Sequence, residues 1–145
     1  MTNKTFIIVA SLDHVQRGVK EGIVQACHGK CAPLKRMKQG DNVICYSPKR
    51  FFDQGASKSN TYQRFSAIGK VQDDDVYQIE MTSEFKPHRR RVEFNDCVPV
   101  DVKPILNELS FIKNKEKWGM TFRNGFFEIP ENDYQVIALL MMSKE

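Results

Sequence analysis

Cys27 and His28 stand side by side, with Lys30 and Cys31 close behind them. A thiol beside an imidazole can make a nucleophile, but only if the two side chains meet, and sequence neighbours in an extended loop usually point apart. A buried structural cysteine next to a loop histidine is the expectation. Cys27, His28 and Cys31 could also ligate zinc, which takes two close-spaced ligand pairs; the chain supplies one loose cluster, so no metal is expected. Asp73, Asp74 and Asp75 have no further acids at ligand spacing and read as a solvated turn rather than a cation site. A glycine-rich phosphate loop, a G-x-S-x-G elbow, an H-E-x-x-H helix and an H-x-E with C-x-x-C are all absent from the sequence. No residue is assigned a catalytic role and no cofactor is expected.

Charge points to a partner more clearly than any of these. Between His28 and Lys70 there are nine Lys and Arg against Asp41 and Asp53, a segment of +7 in a chain whose net charge is only +4. Such asymmetry suggests a positive face able to follow a phosphate backbone, against the alternative of a solvated surface with an excess of lysine.

A chain of 145 residues suits one domain, 1–145, with one closed core. Thr5 to Ala10 reads as a central strand, followed by a helix from Leu12 to Lys20 that Ser11 or Asp13 caps and Gly22 ends. Gln25 to Cys31 is a loop without period, and Pro33 opens one helical turn through Met37. Asn42 to Ser47 is a strand that Pro48 stops. The polar loop Lys49 to Tyr62 is long for a compact domain and is the natural flap. Arg64–Val71, Val76–Met81 and Arg89–Phe94 form a strand meander. A helix over Lys103–Leu109, an aromatic turn and short strand over Trp118–Ile129, and a helix over Glu131–Met142 close the chain. The short strands with peripheral helices imply a small, partly closed β-barrel. Neither Phe6–Ala10 nor Val136–Met142 approaches the roughly 20 residues of a membrane span, and no cleavable signal follows the first; a cytoplasmic location is expected.

Several segments in order resemble a known family. They are Phe6 to Val15, the loop Gly22 to Pro33 around His28-Gly29-Lys30, Leu34 to Asp41, Cys45-Tyr46-Ser47-Pro48, Phe65 to Val71, Arg89 to Val92, Leu109 to Ile112, and Trp118-Gly119 through Gly125 to Ile129. Over nearly the whole chain, from about Phe6 to Ala138, the sequence is similar to the EVE domain, within the PUA-like superfamily that includes YTH and ASCH domains. The resemblance implies an α+β fold, a PUA-like barrel flanked by helices, with a pocket at one mouth. It also implies a partner: DNA or RNA carrying a modified base, with modified cytosine in DNA favoured. By similarity the pocket is lined by Ser11, by Gln25, Ala26, Cys27, His28, Gly29 and Lys30, and by Tyr46, Ser47 and Pro48.

These residue types suit a base taken out of its stack, which is gripped on its flat face and hydrogen-bonded on its edge. The Ser11 and Ser47 hydroxyls and the Gln25 amide both donate and accept, and Gly29 lets the backbone of Ala26 to Gly29 approach closely. Tyr46, Trp118 and Phe122 are the stacking rings considered, while Lys30, Lys49, Arg50, Arg90 and Arg123 are considered for flanking phosphates. Packing alternatives stand beside these roles. Tyr46 shares a strand face with Ile44, Trp118 suits a core, and at most two of Arg89, Arg90 and Arg91 can join one surface. Lacking a second Trp, the chain has no several-Trp cage. Two other functions stay open: a small ASCH-like hydrolase of a modified nucleoside, using Lys30 with Glu21 or Glu80, and a protein-interaction module with no nucleotide pocket.

Overall fold

A computed structural model describes residues 3–25, 31–55 and 57–143. The first strand, β1 (Thr5–Val9), runs straight into helix α1 (Leu12–Glu21). Gly22 ends that helix at φ 72°, its N–H turned back to the carbonyls of Gly18 and Val19, the left-handed cap that glycine makes cheaply. A two-residue strand β2 (Ile23–Val24) and a four-residue helix α2 (Ala32–Lys35) follow. Then come the two longest strands, β3 (Asn42–Lys49) and β4 (Thr61–Val71), with β5 (Tyr77–Gln78), β6 (His88–Phe94) and β7 (Val100–Asp101) after them. The segments Lys103–Glu108 and Trp118–Asn124 are 3-10 helices, and β8 (Phe126–Ile129) leads into α3 (Glu131–Met141).

Among the described residues the strands form one curled, half-barrel sheet in the order β2-β6-β4-β3-β1-β8, with β5 paired to β6 and β7 to β4. β1 and β3 are parallel, which the α1 crossover permits; the other pairings are antiparallel. Side-chain alternation splits the apolar residues into two cores. Phe6 and Ile8 of β1 join Val43 and Cys45 of β3, Val15 of α1, Val24 and Leu34 on one face. Ile7, Ile44 and Tyr46 join Phe65, Leu109, Phe122 and Ile137 on the other.

One irregularity keeps this division consistent. Cys45 pairs with Ala67 but Tyr46 pairs with Phe65, so Ser66 is an extra residue in β4. The bulge is why Phe65 and Ile68, three apart, both reach the second core.

Three sequence expectations need correction. β3 does not stop at Pro48 but continues to Lys49 through a second register shift, because the proline sits where the pairing is already broken. The strand expected over Val76–Met81 is only Tyr77–Gln78. Its continuation is an exposed turn in which Ile79 donates to the Pro87 carbonyl and Met81 to that of Phe85. The segment Lys103–Leu109 is a 3-10 rather than an α-helix. Among the described residues, no helix is long and apolar enough to cross a membrane.

Candidate functional site

An open cavity of about 470 Å3 lies beyond the first core, at the end of the half-barrel where β1 passes into α1. Its inner wall is apolar, with Ile8, Val15, Val24 and Cys45 continuing from the packed core. Burial pushes the Cys45 thiol up to about 12, so it is a neutral apolar surface there.

The polar wall centres on Arg89. Its Nε donates to Gln25 Oε1 at 2.6 Å, its Nη1 to Glu21 Oε1 at 3.3 Å, and its Nη2 reaches Met81 Sδ at 3.7 Å. All four side chains line the cavity. Helix α1 ends at Glu21, β2 carries the chain to Gln25 and β6 begins at His88, so three element ends converge to build this wall.

The mouth is aromatic. His14, exposed on the first turn of α1, stacks on Phe52 with centroids 4.8 Å apart and planes at 24°. Phe52 is itself 61% exposed. Phe85, from the turn after β5, stands on the rim as well.

Phe52 is held by backbone, not by burial. The Asp13 amide donates to the Arg50 carbonyl at 3.0 Å, and the Asp13 carboxylate accepts the Phe52 N–H at 3.3 Å. Burial alone would raise the Asp13 pKa, but hydrogen bonds from the Ser11 hydroxyl and the Phe52 backbone, with the nearby His14, outweigh it and lower the value. Behind Phe52, the buried Asn60 donates to the carbonyls of Phe51, Gln54 and Gly55 and accepts the Phe51 N–H. The expected long flap is thus a loop folded around one asparagine.

The residues singled out from sequence fall in different places. Ser11 and Gln25 line the cavity, the Ser11 hydroxyl donating to Asp13. Ala26, Cys27, His28, Gly29 and Lys30 lie outside the described residues. Tyr46 does not face the cavity: it is 1% exposed and stacks on Phe122 at 3.8 Å in the opposite core, because alternation along β3 gives the cavity to Cys45. Burial there raises the Tyr46 phenol well above its ordinary value. Ser47 is fully buried and shares a 2.7 Å hydrogen bond with Ser66 at the bulge. Pro48 is half-buried within β3 and off the cavity. Trp118 meets Phe122 edge-on at 6.3 Å, so both rings belong to core packing.

The basic residues divide in the same way. Arg90 is 1% exposed and donates to the carbonyls of Leu34, Met37 and Asp73, which removes it from any phosphate surface. Lys49 Nζ donates to the Phe52 and Gln54 carbonyls and so braces the loop. Arg50 is exposed and lies 5.0 Å from the Tyr62 ring, and Arg123 is exposed in the 3-10 helix Trp118–Asn124. Glu21, considered as a partner for Lys30, is engaged by Arg89. Arg89, Phe52, His14 and Phe85 were missed as site residues. The Arg89–Arg91 run was visible in sequence, but the strand's direction relative to α1 was not.

Comparison with known proteins gives one family. A model described as the EVE domain matches residues 4–140. A UPF0310 protein of Mycolicibacterium vanbaalenii is 43% identical over 143 residues, covering 99% of this chain and 94% of its own. Another, from Streptococcus mutans, is 48% identical over 135 residues, 92% of this chain and 93% of its own. Among solved structures, the YTH domain of a Zygosaccharomyces rouxii protein, in complex with N6-methyladenosine RNA, superposes with a TM-score of 0.58 at 16% identity, covering 99% of this chain and 87% of that one. A protein of Rhodopseudomonas palustris gives 0.59 at 10%, with 94% and 92% covered. At such identities the likeness is one of fold, α+β and PUA-like.

Proposed function

The chain belongs to the EVE domain family, and on that premise we propose that it binds nucleic acid and takes a flipped, modified base into the cavity beside Arg89. The observation that carries this reading is the cavity's composition. A volume of about 470 Å3 falls within the range of roughly 300–1,000 Å3 typical of ligand pockets. It combines an apolar inner wall, one polar edge and an aromatic mouth. A base out of its stack needs those three surfaces: a face contact, an edge to hydrogen-bond and a ring to replace the lost neighbour.

In this reading Phe52, backed by His14, stacks on the base or its neighbour, and Gln25 and Arg89 meet the base edge. Arg17 on the wall and Arg50 beside Phe52 face the flanking phosphates. The fold likeness to a YTH domain in complex with N6-methyladenosine RNA supports a nucleic-acid partner. Family resemblance favours modified cytosine in DNA.

Filter binding with short single-stranded oligonucleotides, modified or unmodified at one central base, tests the proposal. The modified strand binds more tightly, affinity falls as salt rises because phosphate contacts release counterions, and Phe52→Ala weakens binding by roughly 1–3 kcal/mol if a base stacks there. Equal affinity for both strands removes the modified-base part, and binding indifferent to salt and to Phe52→Ala removes the nucleic-acid part.

A further inference from the structure

Outside the cavity, two guanidiniums meet on one ring. The Arg50 Cζ lies 5.0 Å and the Arg64 Cζ 5.1 Å from the centroid of Tyr62. The two cations are therefore within about 10 Å of each other, close to the Debye length of physiological salt, so their repulsion is screened only in part. Neither guanidinium makes a hydrogen bond or an ion pair among the described residues, where the ion pairs are Arg89 with Glu21 and Arg91 with Asp73. Asp101 is the partner of Arg64 in the β4–β7 register, yet its carboxylate accepts the Lys103 N–H and forms no ion pair with Arg64.

Arg64 is half-buried, and its Nε is buried without a hydrogen-bond partner among the described residues. Lys49, Lys70, Lys115, Arg89 and Arg90 all give donors to protein acceptors; Arg64 does not. A partly desolvated guanidinium attracts an anion more strongly than a solvated one, because the surrounding dielectric is lower. The backbone is irregular at the same place. Gln63, between Tyr62 and Arg64, has φ 54°, the one non-glycine residue at positive φ among the described residues, and it lies at the register break between Ser47 and Lys49. That region is unfavourable for a residue with a Cβ, and such strain collects where proteins contact ligands.

We propose that Arg50, Tyr62 and Arg64 form a phosphate clamp, which holds one phosphodiester of the strand whose base enters the cavity and so sets the side on which that strand leaves the mouth. The clamp adjoins the mouth through the backbone: the Arg50 carbonyl accepts the Asp13 N–H, and the Asp13 carboxylate accepts the Phe52 N–H. Arg50 stands two residues from Phe52, a reach of at most ~7 Å, which is the length of roughly two stacked nucleotides. Guanidinium groups match phosphate oxygens in charge and planar geometry, and the ring holds both by cation–π contact. An acidic protein surface would satisfy the same charge, but the neighbouring ring-sized cavity favours a polymer that brings a flat heterocycle and an anion together. This inference rests on the base-binding reading above and adds Tyr62, Arg64 and a direction for the strand to it.

The test uses the full chain and a single-stranded DNA with 5-methylcytosine at its centre, in which each phosphodiester in turn is replaced by an uncharged methylphosphonate. Fluorescence anisotropy gives the affinity of each strand. In the wild type, neutralising one linkage within about two nucleotides of the centre, on one side of it only, weakens binding about tenfold, the lower end for a hydrogen-bonded charge. The same replacement costs Arg64→Gln less than about twofold, since the two changes remove one shared contact. In that variant the slope of log affinity on log salt also falls by about one. Arg64→Lys keeps the charge and restores that slope, which a purely packing role for Arg64 would not do. Arg50→Gln, an exposed substitution, behaves as Arg64→Gln does and serves if that variant does not fold. A wild type equally sensitive at every linkage, or folded glutamine variants that keep the full sensitivity, overturns the clamp and leaves base binding standing. Failure of the unsubstituted strand to bind overturns both.

Discussion

Arg90 heads the fully buried side chains by volume, yet it is a cation. A buried guanidinium survives only when most of its donors are matched: Arg90 Nη1 and Nη2 reach the carbonyls of Leu34, Met37 and Asp73, while its Nε is buried without a hydrogen-bond partner among the described residues. Arg90 is therefore the clasp joining β6 to the short helix α2 and to the turn after β4. Arg90→Met removes all three bonds, leaving the Met37 and Asp73 carbonyls without the Arg90 donors and the Leu34 carbonyl with only the 3.4 Å contact from the Met37 N–H, a loss of roughly 3 kcal/mol or more, read as a lower urea midpoint. Had Arg90 held phosphate instead, the variant would keep its stability and lose affinity. The sequence could say that Arg89, Arg90 and Arg91 do not share one face, but not which of them turns inward. The deciding partners are backbone carbonyls as far as 56 positions away, and a carbonyl is common to every residue.

The elements that bound the cavity were mostly legible: β1, α1 with its Gly22 stop, β3 and β6 all lie close to their expected spans. What hydrophobic pattern could not supply was parity and proximity. Tyr46 and Cys45 both look like strand residues, and which one faces the cavity depends on what lies on each side of the sheet. The bulge at Ser66, which sets that parity across β4, has no mark in the sequence that propensity would detect. Proximity is clearest at Gly18, where a Cβ would come within 2.7 Å of the Ile23 carbonyl oxygen. Helix α1 can lie against β2 only because that atom is absent. Gly18→Ala forces the two apart, costs about 1–3 kcal/mol as overpacking does, and displaces the strand that delivers Gln25 to Arg89. Thermal denaturation together with a filter-binding titration would detect the paired loss of stability and affinity. A loss of stability with affinity intact would mean that β2 moves independently of the wall.

At the scale of the whole molecule, one sheet separates two interiors with different tasks. The cavity opens from one, while the other is closed by aromatic packing around Phe122, whose ring lies near those of Tyr46, Phe65, Phe111, Trp118 and Phe127. Phe122→Ala should cost roughly 3–5 kcal/mol, as a large core deletion does. In the folded fraction, affinity for an oligonucleotide should change by no more than about twofold, since distant sites without shared partners behave independently. Calorimetric unfolding and titration below the transition separate the two effects, and a large change in affinity would show that the interiors are coupled through β3.

The same division governs what light can report. Trp118 is the chain's one indole, and it packs half-buried against the closed interior at Phe122, with the sheet between it and the cavity. Its emission will follow denaturation faithfully and stay nearly silent when the cavity fills. A fluorophore intended to sense occupancy belongs at the rim instead: replacing the stacked His14 with tryptophan would put an emitter beside Phe52, where an arriving ring would quench it.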